Sequence, residues 1–241
     1  MQYQGGKTNL FQRHGWLAFW REQLKGCSRF VDVMCGSGAV SVAVKREFPH
    51  ITVVSNDAHP AVIPLLRAVG EGWPPPSTLD ESEYNRVRRE VPPTDPLHGF
   101  TAFGCSFGGK CWGGYARGAS GRNYAKSARA ALLKDAPILS QLVYAQVDYT
   151  NLPNLHPAKP GDVWYVDKPY TGTAGYKGVA FDDARFWTWA EAFPGRLLVS
   201  DFVAPPTWRP IYQVSRKVDI SGGTNGGRAA AQVDTVFERL V

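Results

Sequence analysis

Cysteine is scarce in this sequence, and the little there is lies badly for metal or redox chemistry. The four cysteines, Cys27, Cys35, Cys105 and Cys111, form no Cys-x-x-Cys pair and have no histidine pair near them. No zinc site or disulfide framework is expected, and no metal; a reducing cytoplasm is the compartment this usage implies. Long apolar runs are missing as well. None approaches the roughly 20 residues of a membrane span, so no membrane partner is expected. The opening Met1-Gln2-Tyr3-Gln4-Gly5-Gly6-Lys7 lacks the apolar stretch of a secretory signal. Acidic residues, finally, are absent from positions 96–134.

That last absence is matched by what the stretch does contain. Lys110, Arg117, Arg122, Lys126, Arg129 and Lys134 alternate there with Phe100, Phe103, Phe107, Trp112, Tyr115 and Tyr124. Basic groups interleaved with aromatics and glycines suit a phosphate backbone with stacked or wedged bases. A solvated loop around a local aromatic cluster has the same composition, so both readings stand. The net charge of +6 permits a polyanionic partner without requiring one. With 241 residues, 44% of them hydrophobic, the chain suits one sizeable domain, or one domain carrying an inserted lobe.

Periodicity points to an α/β fold. Arg29-Phe30-Val31-Asp32-Val33-Met34-Cys35 is an apolar run ending in Gly36-Ser37-Gly38, and a helix can follow over 39–46. A second strand over 51–55 stops at Asn56-Asp57. One crossover helix fits between the two, which predicts parallel neighbours in a right-handed unit. After Pro60 two proline-rich breaks bracket a charged helical segment over 77–90, and a further helix is expected over 127–142. Residues 61–140 read as an insertion outside the sheet's core, so the main domain comprises 1–60 and 141–241. The sheet resumes over 142–147 and 163–166, continues through a helix over 183–192 to a strand over 196–200, and ends in strands over 211–220 and 232–240. The glycine-rich 221–228 between those two reads as a mobile loop or hairpin tip.

In open parallel sheets ligands sit beyond the carboxyl ends of the strands, where strand order reverses. Three strand ends here carry glycine or acid: 32–38, Asp57 and Asp167. The Gly36-Ser37-Gly38 turn admits close approach of a ligand, or is simply a tight turn. Asp57 stands where a carboxylate grips ribose hydroxyls, or serves as a turn and helix cap. Asp167-Lys168-Pro169-Tyr170 is more specific. An apolar strand delivers a carboxylate, a rigid ring and an aromatic to one point. Methylating an amine conjugated into a purine needs acceptors that draw the nitrogen lone pair out of conjugation, plus a flat surface for a base taken out of its stack. Asp167 and the Lys168 carbonyl can accept the two protons, and Tyr170 can stack.

These motifs, in this order, resemble the DNA adenine methyltransferases of the Dam type, including many phage enzymes. Tyr3-Gln4-Gly5-Gly6-Lys7 is similar to their aromatic-x-Gly-Gly-Lys element. The segment 30–40 is similar to their cofactor loop, Asn56-Asp57 to the end of their second strand, and Asp167-Lys168-Pro169-Tyr170 to their Asp-Pro-Pro-Tyr. Ser106-Phe107-Gly108-Gly109-Lys110 with Gly113-Gly114-Tyr115 resembles phage members, and the likeness runs nearly end to end. It implies a Rossmann-like S-adenosylmethionine-dependent methyltransferase sheet with an inserted DNA-recognition lobe at 61–140. It further implies S-adenosylmethionine as cofactor, held by Tyr3, Lys7, Asp32, Gly36, Gly38, Asp57, Asp148 and Asp167. Asp148 would read the cofactor adenine, unless it is a surface turn. Asp167, Lys168, Pro169 and Tyr170 would be catalytic, and Lys110, Arg117, Arg122, Lys126 and Arg129 would hold double-stranded DNA. A monomer is expected.

The chain departs from the family pattern at two positions. Asp32 replaces a commoner Glu and keeps the carboxylate. Lys168 replaces a proline, which removes a fixed φ at a flexibility cost of about 1 kcal/mol. Its ammonium would also oppose a sulfonium or an incoming base if it lay between them, although a long side chain can snorkel away. A DNA-binding pseudo-methyltransferase is therefore the first alternative. Cytosine-N4 methylation ranks lower, since those enzymes more often carry Ser where Asp167 stands. A nucleotide-binding oxidoreductase would want a third glycine where Ser41 stands.

Overall fold

The computed structural model describes residues 1–3, 5–7, 15–118, 121–169, 181–216 and 232–240. Its frame is a seven-stranded sheet: β1 (Arg29–Asp32), β2 (Thr52–Asn56), β3 (Val143–Ala145), β4 (Asp162–Asp167), β5 (Leu197–Asp201), β6 (Trp208–Arg216) and β7 (Gln232–Arg239). The spatial order is β3-β2-β1-β4-β5-β7-β6. The first five strands pair in parallel, and β7 runs antiparallel to both β5 and β6. This is the expected Rossmann-like α/β class, with β1 and β2 parallel neighbours as their spacing predicts. The segment 221–228 lies outside the described residues. Pro210 sits on the edge strand β6, at a register shift, where a missing N–H is tolerated.

Burial on both faces explains why the parallel strands are continuously apolar. Side chains alternate across the sheet. Phe30, Val53, Val163 and Tyr165 enter one hydrophobic cluster, whereas Val31, Val54, Trp164 and Val166 enter a second. The first cluster is covered by α1 (Trp16–Gln23), α2 (Ala39–Glu47), α3 (Val62–Gly70) and α6 (Tyr124–Leu139). Helix α1 was not anticipated, although Trp16, Phe19 and Trp20 have helical spacing. Trp20 meets Tyr165 edge-on at 5.1 Å. The second cluster is covered by α7 (Leu152–Leu155) and α8 (Asp183–Ala192), which supply Leu152, Phe186 and Ala190.

Residues 61–140 enter between β2 and β3, but they do not all stand outside the core. Val62, Ile63, Leu65, Leu66 and Val69 of α3 and Leu132 of α6 share the first cluster with the strands. The expectation fails there for a simple reason. Together with α1 and α2 these helices close that face of β1, β2 and β4, and their own apolar side chains have nowhere else to go. The segment also includes α4 (Glu81–Glu90), α5 (Pro96–Gly99) and a π-helical turn at Phe100–Gly104, and Tyr84, Phe100 and Phe103 join the same cluster. Asp80 caps α4, accepting the Glu83 amide at 2.8 Å.

Candidate active site

Chain order reverses at β1. The strands β1, β2, β3 run outward on one side, and β4 lies on the other. The carboxyl ends of β1 and β4 therefore bound the switch-point crevice, and those ends are Asp32 and Asp167.

Asp32 is 1% exposed. Its Oδ2 accepts the Ser41 hydroxyl at 2.7 Å, and Ser41 in turn accepts from Ser55 at 2.7 Å. Its Oδ1 is buried and has no hydrogen-bond partner among the described residues. Burial pushes this carboxyl up to about 7, against the Ser41 hydroxyl, and the nearby Asp167 and Asp57 charges push the same way. Ser41, which sequence reasoning weighed only as a missing glycine, is what orients this acid.

The turn after β1 is built from backbone needs that only glycine meets. Gly36 has φ +50°, and a Cβ there would lie 2.8 Å from the Tyr3 ring. Gly38, at φ +72°, is the residue before α2, and a Cβ there would come 3.2 Å from Leu66. Tyr3 and Leu66 are thus what approach these glycines most closely. Asp57 accepts the Gly36 amide at 2.8 Å and the His59 amide at 2.8 Å. It is half-buried, and that burial raises its carboxyl despite the two amides. One Asx turn therefore ties the end of β2 to the glycine turn. Asn56 clips three strand ends together: its amide donates to the Val33 and Val147 carbonyls at 2.9 and 3.0 Å, and accepts the Val147 amide at 3.0 Å.

The N-terminal segment closes one side of the crevice. Tyr3 packs against Phe103 with centroids 4.9 Å apart. Lys7, 3% exposed, is not a solvated terminal lysine; its Nζ lies 2.7 Å from Asp167 Oδ1. Tyr3, Lys7, Asp32, Gly36, Asp57 and Asp167 are brought to one edge. Asp148 stands farther along that edge, after β3. Its carboxylate accepts the Thr150 amide and hydroxyl at 3.0 and 2.6 Å and pairs with Arg185 at 3.1 Å. Burial works against its charge, but these donors hold it below the ordinary carboxylate range.

Lys168 departs from expectation. Its ammonium does not enter the crevice; it lies 2.6 Å from Asp183 Oδ1 and 2.5 Å from Asp201 Oδ2, beside the rings of Phe181, Phe186 and Trp187. Phe186 of α8 belongs to the second cluster, and Phe181 and Trp187 pack against it. The cause is the strand alternation of β4 carried one residue past its end, which sends Asp167 and Lys168 to opposite faces. That alternation was readable in 163–168. Asp201 also carried a signal, because it ends an apolar strand as Asp32 and Asp167 do; nothing marked Asp183. Pro169 follows, half-buried, and Tyr170 lies outside the described residues.

The basic residues are partly spoken for. Lys110, Arg117, Arg122 and Lys126 are exposed. Arg117 forms an ion pair with Glu81 at 2.5 Å, Arg129 donates to the Pro75 carbonyl, and Arg122 lies over Tyr124 at 5.0 Å. Arg117, Arg122, Asn123 and Tyr124 line one cavity of about 410 Å³ together with Asp80. A stretch free of acid in sequence is thus not free of acid in space, because the start of α4 folds against it. Among the described residues, no helix is long and apolar enough to cross a membrane.

No family model and no curated protein matches the chain. Solved structures that resemble it include TrmN from Thermus thermophilus, at 14% identity and a TM-score of 0.40, over 93% of this chain and 48% of that one. A provisionally assigned methylase from Haemophilus influenzae matches at 11% identity and 0.37, over 97% and 99%. A precorrin-6y C5,15-methyltransferase from Geobacter metallireducens matches at 8% and 0.36, over 92% and 84%. The chain thus spans about half the length of the TrmN chain. At these values the likeness assigns neither activity nor ligand to this chain, and its fold class rests on strand order and pairing.

Proposed function

We propose that this chain is an S-adenosylmethionine-dependent methyltransferase acting on the N6 amine of adenine in double-stranded DNA. The observation that carries this reading is the meeting of Asp32 and Asp167 across the switch point, with Tyr3 and Lys7 folded over it from the chain start. The resemblance of those residues, in order, to the Dam-type motifs supplies the substrate.

The donor set suits the cofactor. Asp32 keeps a buried carboxylate oxygen without a partner among the described residues, and each Asp57 oxygen that accepts an amide has a second lone pair for a ribose hydroxyl. Tyr3, Lys7, Asp32, Gly36, Asp57 and Asp148 would border it, with Gly38 supporting the turn from beneath. Bound, S-adenosylmethionine supplies an electrophilic methyl on a sulfonium. Asp167 accepts an N–H of the target amine, which turns the nitrogen lone pair out of the purine ring. Lys7 orients that carboxylate, and an entering amine competes with it for the same oxygens. Pro169 restricts the turn, and Tyr170 offers a stacking surface for a base taken out of the duplex. Lys110, Arg122 and Lys126 contact phosphates, with Arg117 and Arg129 available once their present partners are exchanged. The buried position of the Lys168 ammonium argues against charge repulsion at the reacting centre, which was the ground for a pseudoenzyme.

The test incubates the chain with labelled cofactor and unmethylated duplex DNA and identifies the modified base. N6-methyladenine is expected, and D167A should lower the rate at least about 100-fold. Label on cytosine would replace the substrate assignment. Absence of any S-adenosylmethionine or S-adenosylhomocysteine binding by calorimetry would overturn the reading altogether.

A further inference from the structure

We infer that Lys168 is a positioning residue, whose buried ammonium clamps the turn carrying Asp167 to β5 and α8. The inference rests on the reading of Asp167 given above and extends it to Lys168 and to two residues outside the tetrapeptide, Asp183 and Asp201.

The clamp follows from register. Asp167 pairs with Ser200 across β4 and β5, so one further step along both strands sets Lys168 beside Asp201. The lysine side chain is 0% exposed, as is that of Asp201. An ammonium leaves water only where charge and hydrogen bonding replace its hydration. Here two carboxylates from separate elements do so: Asp201 at the end of β5, and Asp183 in the first turn of α8. The rings of Phe181, Phe186 and Trp187, each within 5.8 Å of Nζ, exclude competing water and add cation–π attraction. Asp201 also accepts the Phe202 amide at 2.7 Å, so the anchor is itself fixed. A proline at position 168 restrains the turn through its own φ. A lysine there restrains it from outside, through partners on two other elements.

The clamp makes Lys168→Pro a loss instead of a restoration, because it strands two carboxylates around an emptied site. The test compares the full chain with K168P, D201N and the triple variant K168P/D183N/D201N. Three readouts are taken: S-adenosylhomocysteine affinity by calorimetry, kcat at saturating cofactor and DNA, and amide hydrogen exchange over 166–169. In D201N the affinity should stay within about threefold, while kcat falls about 10- to 100-fold and exchange rises at least about tenfold. K168P should be less active than the parent, and the triple variant should recover part of that loss. A K168P more active than the parent overturns the clamp, as does D201N with kcat within about twofold and unchanged exchange. If K168P does not fold, D201N and the triple variant decide. If the parent itself transfers no methyl group, the proposed activity fails, and exchange in D201N alone judges the clamp: unchanged exchange sinks it.

Discussion

Lys7 and Lys168 each meet a carboxylate at the same end of β4, yet the two contacts are built differently. Lys7 reaches Asp167 from the chain start at 2.7 Å, and the Asp167 side chain keeps 19% of its surface open. The Lys168 and Asp201 side chains are wholly enclosed, and Asp183 meets the same ammonium from a position one-third open. An incoming hydrogen-bond donor can reach the first contact and displace it. The Lys168–Asp201 pair, closed to water on both sides, can be broken only by moving β5 or the turn after β4. Adjacent residues of one chain thus serve a partly open edge and a fixed interior. The difference comes from nothing more than the two-residue alternation of an extended strand.

The sharpest way to break this comparison is to remove each ammonium in turn. K168M strips the charge from beside the buried Asp201 carboxylate and the partly open Asp183, and should cost about 3–5 kcal/mol in urea unfolding. K7M leaves an Asp167 that water can reach, and should cost about 1 kcal/mol while lowering methyl transfer. Equal losses in the two variants would mean that the contacts are of one kind.

Acidity of the crevice gives a smaller effect with a definite sign. Asp32 has a folded value of about 7 against 3.8 for the free group. The folded chain therefore binds a proton there that the unfolded chain releases, and stability falls as pH rises from about 4 to 7. The slope from this group is at most about 1.4 kcal/mol per pH unit. Asp57 and Asp201, also raised by burial, add in the same direction. D32N should flatten the pH profile of urea unfolding without abolishing the slope; an unchanged profile would show that Asp32 is ionised in the fold.

The smallest effect belongs to the basic segment, where exposed charges set the scale. R122Q should make the logarithmic salt dependence of DNA binding shallower by about 0.9. E81Q should make it steeper by up to the same amount, because it frees Arg117. Stability should change by less than about 1 kcal/mol in both, since the Arg117–Glu81 pair is exposed on both sides. Salt slopes that move in neither variant would reduce the segment to a solvated surface.

Much of the frame was legible. The strands ending at Asp32, Asn56 and Asp167 and the helix Asp183–Ala192 follow from apolar runs, glycine breaks and helical spacing. The crevice residues were legible too, because strand-end acids converge wherever a parallel sheet is wound. Three things were not. The helix α3 was not read as a helix and α6 was read as outside the core, since a polar, proline-rich surround hid the faces that cover β1 and β2. Arg117 was read as unopposed, since Glu81 lies 36 positions away in the chain. Lys168 was set beside the reacting centre, since the tetrapeptide was read as a unit and not as the continuation of an alternating strand.

By itself the sequence determined which residues end at the sheet's carboxyl edge, because hydrophobic periodicity and glycine punctuation are local and need no partners. Only the tertiary structure decided which charges neutralise one another. Lys7 with Asp167, Lys168 with Asp183 and Asp201, and Arg117 with Glu81 are all separated along the chain. An ion pair depends on distance in space and on access to water, and neither quantity exists until the sheet is wound and its helices have closed over both faces.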